Sequence, residues 1–154
     1  MGRIHFAVSH ESYAAMTKFY NGLQQDQAQA DFWKAANANP VADQVSNYLL
    51  DVVAPGKGGN VYEVFIWQPL PGKTGAMFQQ GMGAKPIHEK AGASVTILRD
   101  RLNRMHYLVQ FDSWEAHAKF SDTPNPEFAQ YMQKVSEDPS AELVKTYRGF
   151  ELQP

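Results

Sequence analysis

Two short stretches of this chain carry the same pair of ionisable side chains at the same spacing: Arg3 and His5 in "RIHFAVSHESYAAMTKF", and Arg104 and His106 in "RMHYLVQFDSWEAHAKF". An imidazole titrates at about 6.5 and so takes or gives a proton at neutral pH, while a guanidinium stays charged and pairs anions. Both triplets lie on segments whose apolar residues alternate, as in a strand with one covered face. Alternation puts Met105, Tyr107, Val109 and Phe111 in an apolar row facing helices and Arg104, His106, Leu108 and Gln110 in a mixed one. Ile4, Phe6 and Val8 separate from Arg3, His5, Ala7 and Ser9 in the same way. After Val61, the row Tyr62, Val64 and Ile66 is expected to face the helices. That leaves Glu63, Phe65 and Trp67 beside the histidines, with Ser94, Thr96 and Leu98 on the same side. His5 and His106 then point into whatever encloses the face that helices do not cover. A buried imidazole needs a hydrogen bond and a buried guanidinium a counter-charge, so Arg3, Arg104 and Glu63 are natural partners. The cluster reads either as a satisfied polar layer between two sheets or as the wall of a ligand pocket.

Other motifs do not complete a site. "PGKTGA" at 71–76 resembles a phosphate loop, but the first glycine of that motif would fall at Trp67. No Gly-x-Ser-x-Gly surrounds any serine, which leaves hydrolase chemistry unsupported. The five histidines (His5, His10, His88, His106 and His117) include no His-Glu-x-x-His pair. A composite site from His5, His106 and Glu63 is conceivable, yet no metal is expected. His88 is expected at a helix end, where its charged form suits the negative pole of the helix dipole. His117 is expected within a helix, partly exposed. Met77, Phe78 and Met82 are expected to pack on the sheet from a helix that Gly75, Gly81 and Gly83 each weaken by roughly 1 kcal/mol.

The elements that position these groups follow from period and punctuation. Alternation gives strands near 3–10, 45–53, 61–68, 93–100, 104–111 and 143–152, and helical spacing gives helices near 12–38, 73–90 and 113–137. Pro124 and Pro126 should split the last helix, and Asp112 with Glu115 should cap its start. No break is long enough for a domain linker, so residues 1–154 read as a single α+β domain. The chain also repeats itself. At an offset of 101, Arg3, His5, Val8, Ser12, Ala15, Lys18 and Phe19 meet identical residues; at 99, Pro40 and Tyr48 meet Pro139 and Tyr147. Residues 1–54 thus form an N-terminal βαβ half-repeat ahead of a βαββαβ module at 61–152.

Composition narrows the partners. A net charge of −2 with scattered Lys and Arg gives no electrostatic footprint for nucleic acid or an anionic membrane, so neither is expected. The absence of cysteine excludes disulfides and thiolate chemistry and fits a reducing compartment. With no apolar run of about 18 residues and no signal-peptide pattern at "MGRIHFAVSHE", a cytoplasmic location is expected.

The passage "FDSWEAHAKFSDTPNPEFAQYM", set in the β-α-β-β-α-β order of 61–152, resembles the strand-to-helix passage of NIPSNAP-like and antibiotic-biosynthesis-monooxygenase-like proteins of the dimeric α/β-barrel superfamily. The resemblance implies a ferredoxin-like antiparallel sheet with helices on one face, the other face meeting a second copy in a dimeric α/β barrel. The extra N-terminal βαβ unit departs from a single module; it would either lengthen the sheet or complete a barrel within one chain. A homodimer is expected. The implied activity is that of a cofactor-independent monooxygenase or isomerase acting on an apolar or aromatic compound inside the barrel, with no cofactor. On that reading His106 is the general acid or base, His5 its partner, and Arg104 the stabiliser of an enolate-like anion. Arg3 and Glu63 orient the substrate, and Phe65 and Trp67 form walls. Superfamily members that degrade haem use a strand tryptophan and a helix histidine; Trp67 and His88 stand on similar elements, but Ala7 replaces the matching asparagine, so haem is not expected. The alternative is a non-catalytic ligand-binding or assembly protein whose barrel is filled by its own side chains.

Overall fold

The computed structural model describes residues 4–40 and 46–151 and divides into two compact units, Met1–Asn47 and Tyr48–Pro154. Arg3 lies outside the described residues, so its expected place on a strand has no structural counterpart here.

In the N-terminal unit the strand expected over 3–10 is not formed at the described residues 4–10, which are irregular. His5 therefore lies on an irregular segment. Two helices follow, α1 (Tyr13–Gln24) and α2 (Gln27–Ala38), where a single helix over 12–38 was expected. The break has a local cause. The Asp26 carboxylate accepts from the amides of Ala28 and Gln29 and so starts a new helix, because a short acidic side chain competes with the helical ladder. Ser12 caps α1 by accepting from the Ala15 amide at 3.1 Å.

The C-terminal unit holds a five-stranded sheet of β1 (Leu50–Ala54), β2 (Val61–Pro69), β3 (Ser94–Asp100), β4 (Met105–Phe111) and β5 (Ala141–Phe150). Its order is β1-β3-β4-β2-β5, and every neighbouring pair is antiparallel. Helix α3 (Thr74–Lys90) joins β2 to β3; α4 (Trp114–Asp122) and α5 (Pro126–Glu137) join β4 to β5. Without β1 this is the ferredoxin-like arrangement, with each crossover spanning a strand contributed by the other half. Pro126 opens α5 behind the Asn125 cap, the expected split. The start of α4, however, is capped by Ser113 rather than Asp112, its hydroxyl accepting from the Ala116 amide at 3.2 Å.

Strand register settles which rows face the helices. Phe65 pairs with Tyr107 and Trp67 with Met105, while Ile66 pairs with His106 and Val64 with Leu108. Directly paired residues share a face. Met105, Tyr107, Val109 and Phe111 are buried in the core with Met77 and Ala84 of α3, as alternation requires. Glu63, Phe65 and Trp67 therefore lie on the helix side, and Tyr62, Val64 and Ile66 on the His106 side, the reverse of the expected assignment. Gly81 and Gly83 of α3 serve close packing, while Gly75 has open space beside it. A Cβ at Gly81 would meet Met105 Sδ, and one at Gly83 would meet the Tyr131 hydroxyl oxygen at 2.6 Å.

Candidate functional site

Between the sheet and its helices lies a cavity of about 460 Å³, within the usual range of small-molecule sites. Phe65 and Trp67 of β2, Met105, Tyr107 and Val109 of β4, and Met77, Gly81, Ala84 and His88 of α3 form much of its wall; α4 contributes Phe120, and α5 contributes Phe128 and Tyr131. On α3 the lining residues Met77, Gly81, Ala84 and His88 recur at helical spacing, so one stripe of the helix faces the space.

Within this largely apolar wall, which also holds Glu63, Gln80, Ser136 and Ser140, two buried polar side chains meet. His88 Nδ1 lies 2.8 Å from the Tyr107 hydroxyl, with His88 9% and Tyr107 5% exposed. The rings of Phe128 and Phe120 pack on His88 at centroid distances of 4.3 and 5.7 Å. Burial pushes the His88 pKa below the ordinary imidazole value, correcting the expected charged residue at a helix pole. Burial, aided by the charge of Glu89, raises the Tyr107 phenol. Both groups are neutral at pH 7, and the pair has two proton arrangements. With Tyr107 donating to Nδ1, the ring presents N–H at Nε2; with Nδ1 donating to the phenol oxygen, Nε2 carries the lone pair. Such a pair can act as acid or as base without creating a buried charge in its resting form. At the cavity's edge Glu63 Oε1 lies 3.2 Å from His117 Nε2 and 2.9 Å from an Arg148 guanidinium nitrogen. His117 is buried, not partly exposed as expected.

The opposite sheet face carries a second polar cluster. Asp100 Oδ1 accepts from the amides of Leu102 and Arg104, each at 2.9 Å. Oδ2 accepts from Arg104 Nε at 2.7 Å and His106 Nε2 at 3.2 Å. Burial alone would raise the Asp100 carboxyl, but these donors hold it below the ordinary carboxylate range. At His106 burial outweighs the attraction of Asp100, and the imidazole pKa is lowered. The Tyr48 ring stands edge-on to His106 at 4.9 Å and under the Arg104 guanidinium at 5.6 Å.

The structure thus separates the expected site residues. It gathers Glu63, Phe65 and Trp67 at the helix-side cavity and places His106 with Arg104 around Asp100 on the other face, with His106 only 2% exposed. His5 belongs to the N-terminal unit. Glu63 pairs with Arg148 and lies beside His117, not with the Arg-x-His histidines. His88, Tyr107 and Asp100 were missed. The stripe at Met77, Gly81, Ala84 and His88 was the available signal for His88. Among the described residues no group of three or more His, Cys, Asp or Glu is placed to hold a metal, and no helix is long and apolar enough to cross a membrane.

Two lowered histidines give stability a definite pH dependence. In the unfolded chain each binds a proton as pH falls through about 6.5, before its folded form does. The unfolded state then holds more protons, so stability falls with pH, by at most about 1.4 kcal/mol per pH unit for each histidine. The urea midpoint should be flat above about pH 7.5 and decline below about pH 6.5, with His88→Gln removing part of the slope. A midpoint unchanged down to about pH 5 would contradict the burial of both rings.

No family model matches the chain, and no curated protein matches its sequence. Among solved structures, a presumed monooxygenase from Fusobacterium nucleatum matches with a TM-score of 0.51 and 14% identity, over 93% of this chain and 70% of that one. LmHde, a haem-degrading enzyme from Listeria monocytogenes, matches with a TM-score of 0.40 and 12% identity, over 71% of this chain and 74% of that one. The first likeness is one of fold alone; the second is too slight to argue from.

Proposed function

We propose that the chain is a small-ligand enzyme of the cofactor-independent monooxygenase or isomerase type, taking an apolar or aromatic compound into the cavity between sheet and helices. The observation that carries this reading is the linked, buried His88–Tyr107 pair set into a largely apolar wall of a space of about 460 Å³. An apolar wall supplies binding energy, and one neutral, polarisable pair supplies orientation and proton transfer. His88 takes the acid–base role expected of His106, while Phe65 and Trp67 keep theirs as walls and Glu63 marks the polar edge. His106, Arg104 and Asp100 form the satisfied polar layer. Among the described residues lining the cavity none is a Lys or Arg that could pair the carboxylates of haem, and this reading uses no haem. The passage at 111–132 supports a place among the NIPSNAP-like and antibiotic-biosynthesis-monooxygenase-like proteins working as homodimers, and the lack of cysteine supports the cytoplasm as the compartment.

Thermal denaturation against a panel of planar phenols, naphthols and hydroxyquinones tests the reading. A binder present at 100 times its dissociation constant adds about 2.7 kcal/mol of stability. Conversion of that binder to an oxygenated or isomerised product supports catalysis; binding without conversion favours the non-catalytic alternative. If no member of the panel raises the melting temperature, the proposal fails.

A further inference from the structure

The N-terminal repeat is structural as well as sequential. Ser12 and Ser113, one repeat apart, cap α1 and α4 with nearly the same backbone (φ −157°, ψ 164° and φ −152°, ψ 168°), each accepting from the amide three residues on. Both caps lead into a helix pair, and both pairs lead to a strand, β1 or β5. The described residues of 4–54 therefore follow the plan β4-α4-α5-β5, except that the first strand is not formed.

The C-terminal unit shows why. There β4 and β5 do not pair with each other; both pair with β2, and β4 also pairs with β3. Every ladder of the ferredoxin-like module joins the half β2-α3-β3 to the half β4-α4-α5-β5. A strand-helix-strand half has no ladder to make within itself. Residues 4–10 belong to such a half, and they hold Ile4, Phe6 and Val8 at 70%, 92% and 61% exposure in strand-like alternation. Helices α1 and α2 bury no residue, and Phe19, Tyr20, Phe32 and Trp33 stand exposed on them. So many exposed large apolar side chains in one short unit mark an interaction surface.

We infer that a second copy of this chain supplies the missing half, residues 4–10 of the two copies pairing antiparallel as the central strands of a shared ferredoxin-like module. Two identical halves can fill that module because its own two halves are related by an approximate twofold, so the contact is isologous and closes at a dimer. Each outer place falls to β1, whose partner in the sheet is β3 and whose other edge takes residues 4–10 of the second copy. Register follows from the repeat. The β2–β4 ladder runs from Val61↔Phe111 to Trp67↔Met105 and is centred on Val64↔Leu108. The repeat counterpart of Leu108 is Ala7, so Ala7 faces Ala7 of the second copy. This deepens the homodimer reading of the proposed function by naming the segment through which the copies meet.

The chain contains no cysteine, so Ala7→Cys introduces a single thiol. Directly opposed antiparallel residues have Cα atoms about 4.5–5.5 Å apart, within disulfide range. Sedimentation of the full chain should show a dimer, and mild oxidation should cross-link Ala7→Cys roughly tenfold faster than a control thiol introduced by Asp122→Cys at the exposed end of α4. Phe6→Asp should raise the dimer dissociation constant roughly a hundredfold while leaving the thermal transition of the C-terminal unit in place. A monomeric wild-type chain overturns both this inference and the homodimer reading. A dimer that survives Phe6→Asp, with no preferential cross-link at position 7, overturns this inference alone and leaves a dimer of barrel faces.

Discussion

Asp100→Ala should lower stability by about 3–5 kcal/mol, because it removes a buried carboxylate and strands the partners that it satisfies. Asp100 is 5% exposed and its two oxygens accept from two backbone amides, one guanidinium nitrogen and one imidazole. The hairpin depends on the same residue. Asn103 holds φ 59°, and the Asn103 amide donates to the Asp100 carbonyl at 3.0 Å, so the turn between β3 and β4 is tied to the side chain that anchors His106. Asp100→Asn keeps the shape and an acceptor for the amides but loses the charge that pairs Arg104. Its cost should be smaller, about 1–3 kcal/mol. Urea unfolding of the three proteins at neutral pH checks the order. A loss under about 1 kcal/mol for the alanine variant would show that Arg104 and His106 find water or other partners, and that the polar layer is not an anchor.

His88→Ala should reduce turnover of any converted compound by roughly 10²–10⁴-fold, the usual contribution of a positioned acid or base. The same change opens the Tyr107 hydroxyl to no partner in an apolar wall, so a stability loss of about 1–3 kcal/mol accompanies it. Tyr107→Phe separates the two effects. It keeps the ring and the cavity wall, removes the hydrogen bond to Nδ1, and should shift the pH optimum by altering the imidazole's proton affinity. His106→Ala is the control: as a member of the Asp100 layer it should cost stability with little change in turnover per folded molecule. Equal losses of turnover in the His88 and His106 variants would contradict the assignment of chemistry to the helix side.

Much of the architecture was legible. Helical spacing located α3, α4 and α5, and Pro126 marked the split between the last two, although Ser113 and not Asp112 caps α4 and α3 has no side-chain cap. Alternation sorted β4 correctly, since Arg104, His106 and Gln110 contrast with Met105, Tyr107, Val109 and Phe111. The row assignment on β2 failed for a physical reason. That strand is apolar on both faces, with Val64 and Ile66 buried on one side and Phe65 and Trp67 against the core on the other, so alternation carries no contrast and only pairing register decides. Residues 4–10 share the pattern of β4 but do not form a strand, because pattern specifies which side chains share a face and not whether a partner strand is supplied. Asp100 stands in the polar run "RDRL" at 99–102, where no pattern marks it, yet the tight turn brings its carboxylate back to Arg104 and His106. His88 lay on a readable apolar stripe; its place near the helix end drew attention to the dipole instead of the cavity.

On the proposed function, the space beneath α3 receives the ligand. Ala84, buried on α3 beside that space, tests it: a phenyl ring at this position projects into the cavity and fills volume that the ligand needs. Isothermal titration of the most stabilising compound into the wild-type chain and into Ala84→Phe is the direct measurement. Affinity lost by roughly a hundredfold, with the variant still folded, is the expected result. Equal affinity for both proteins would place the ligand elsewhere and contradict the claim.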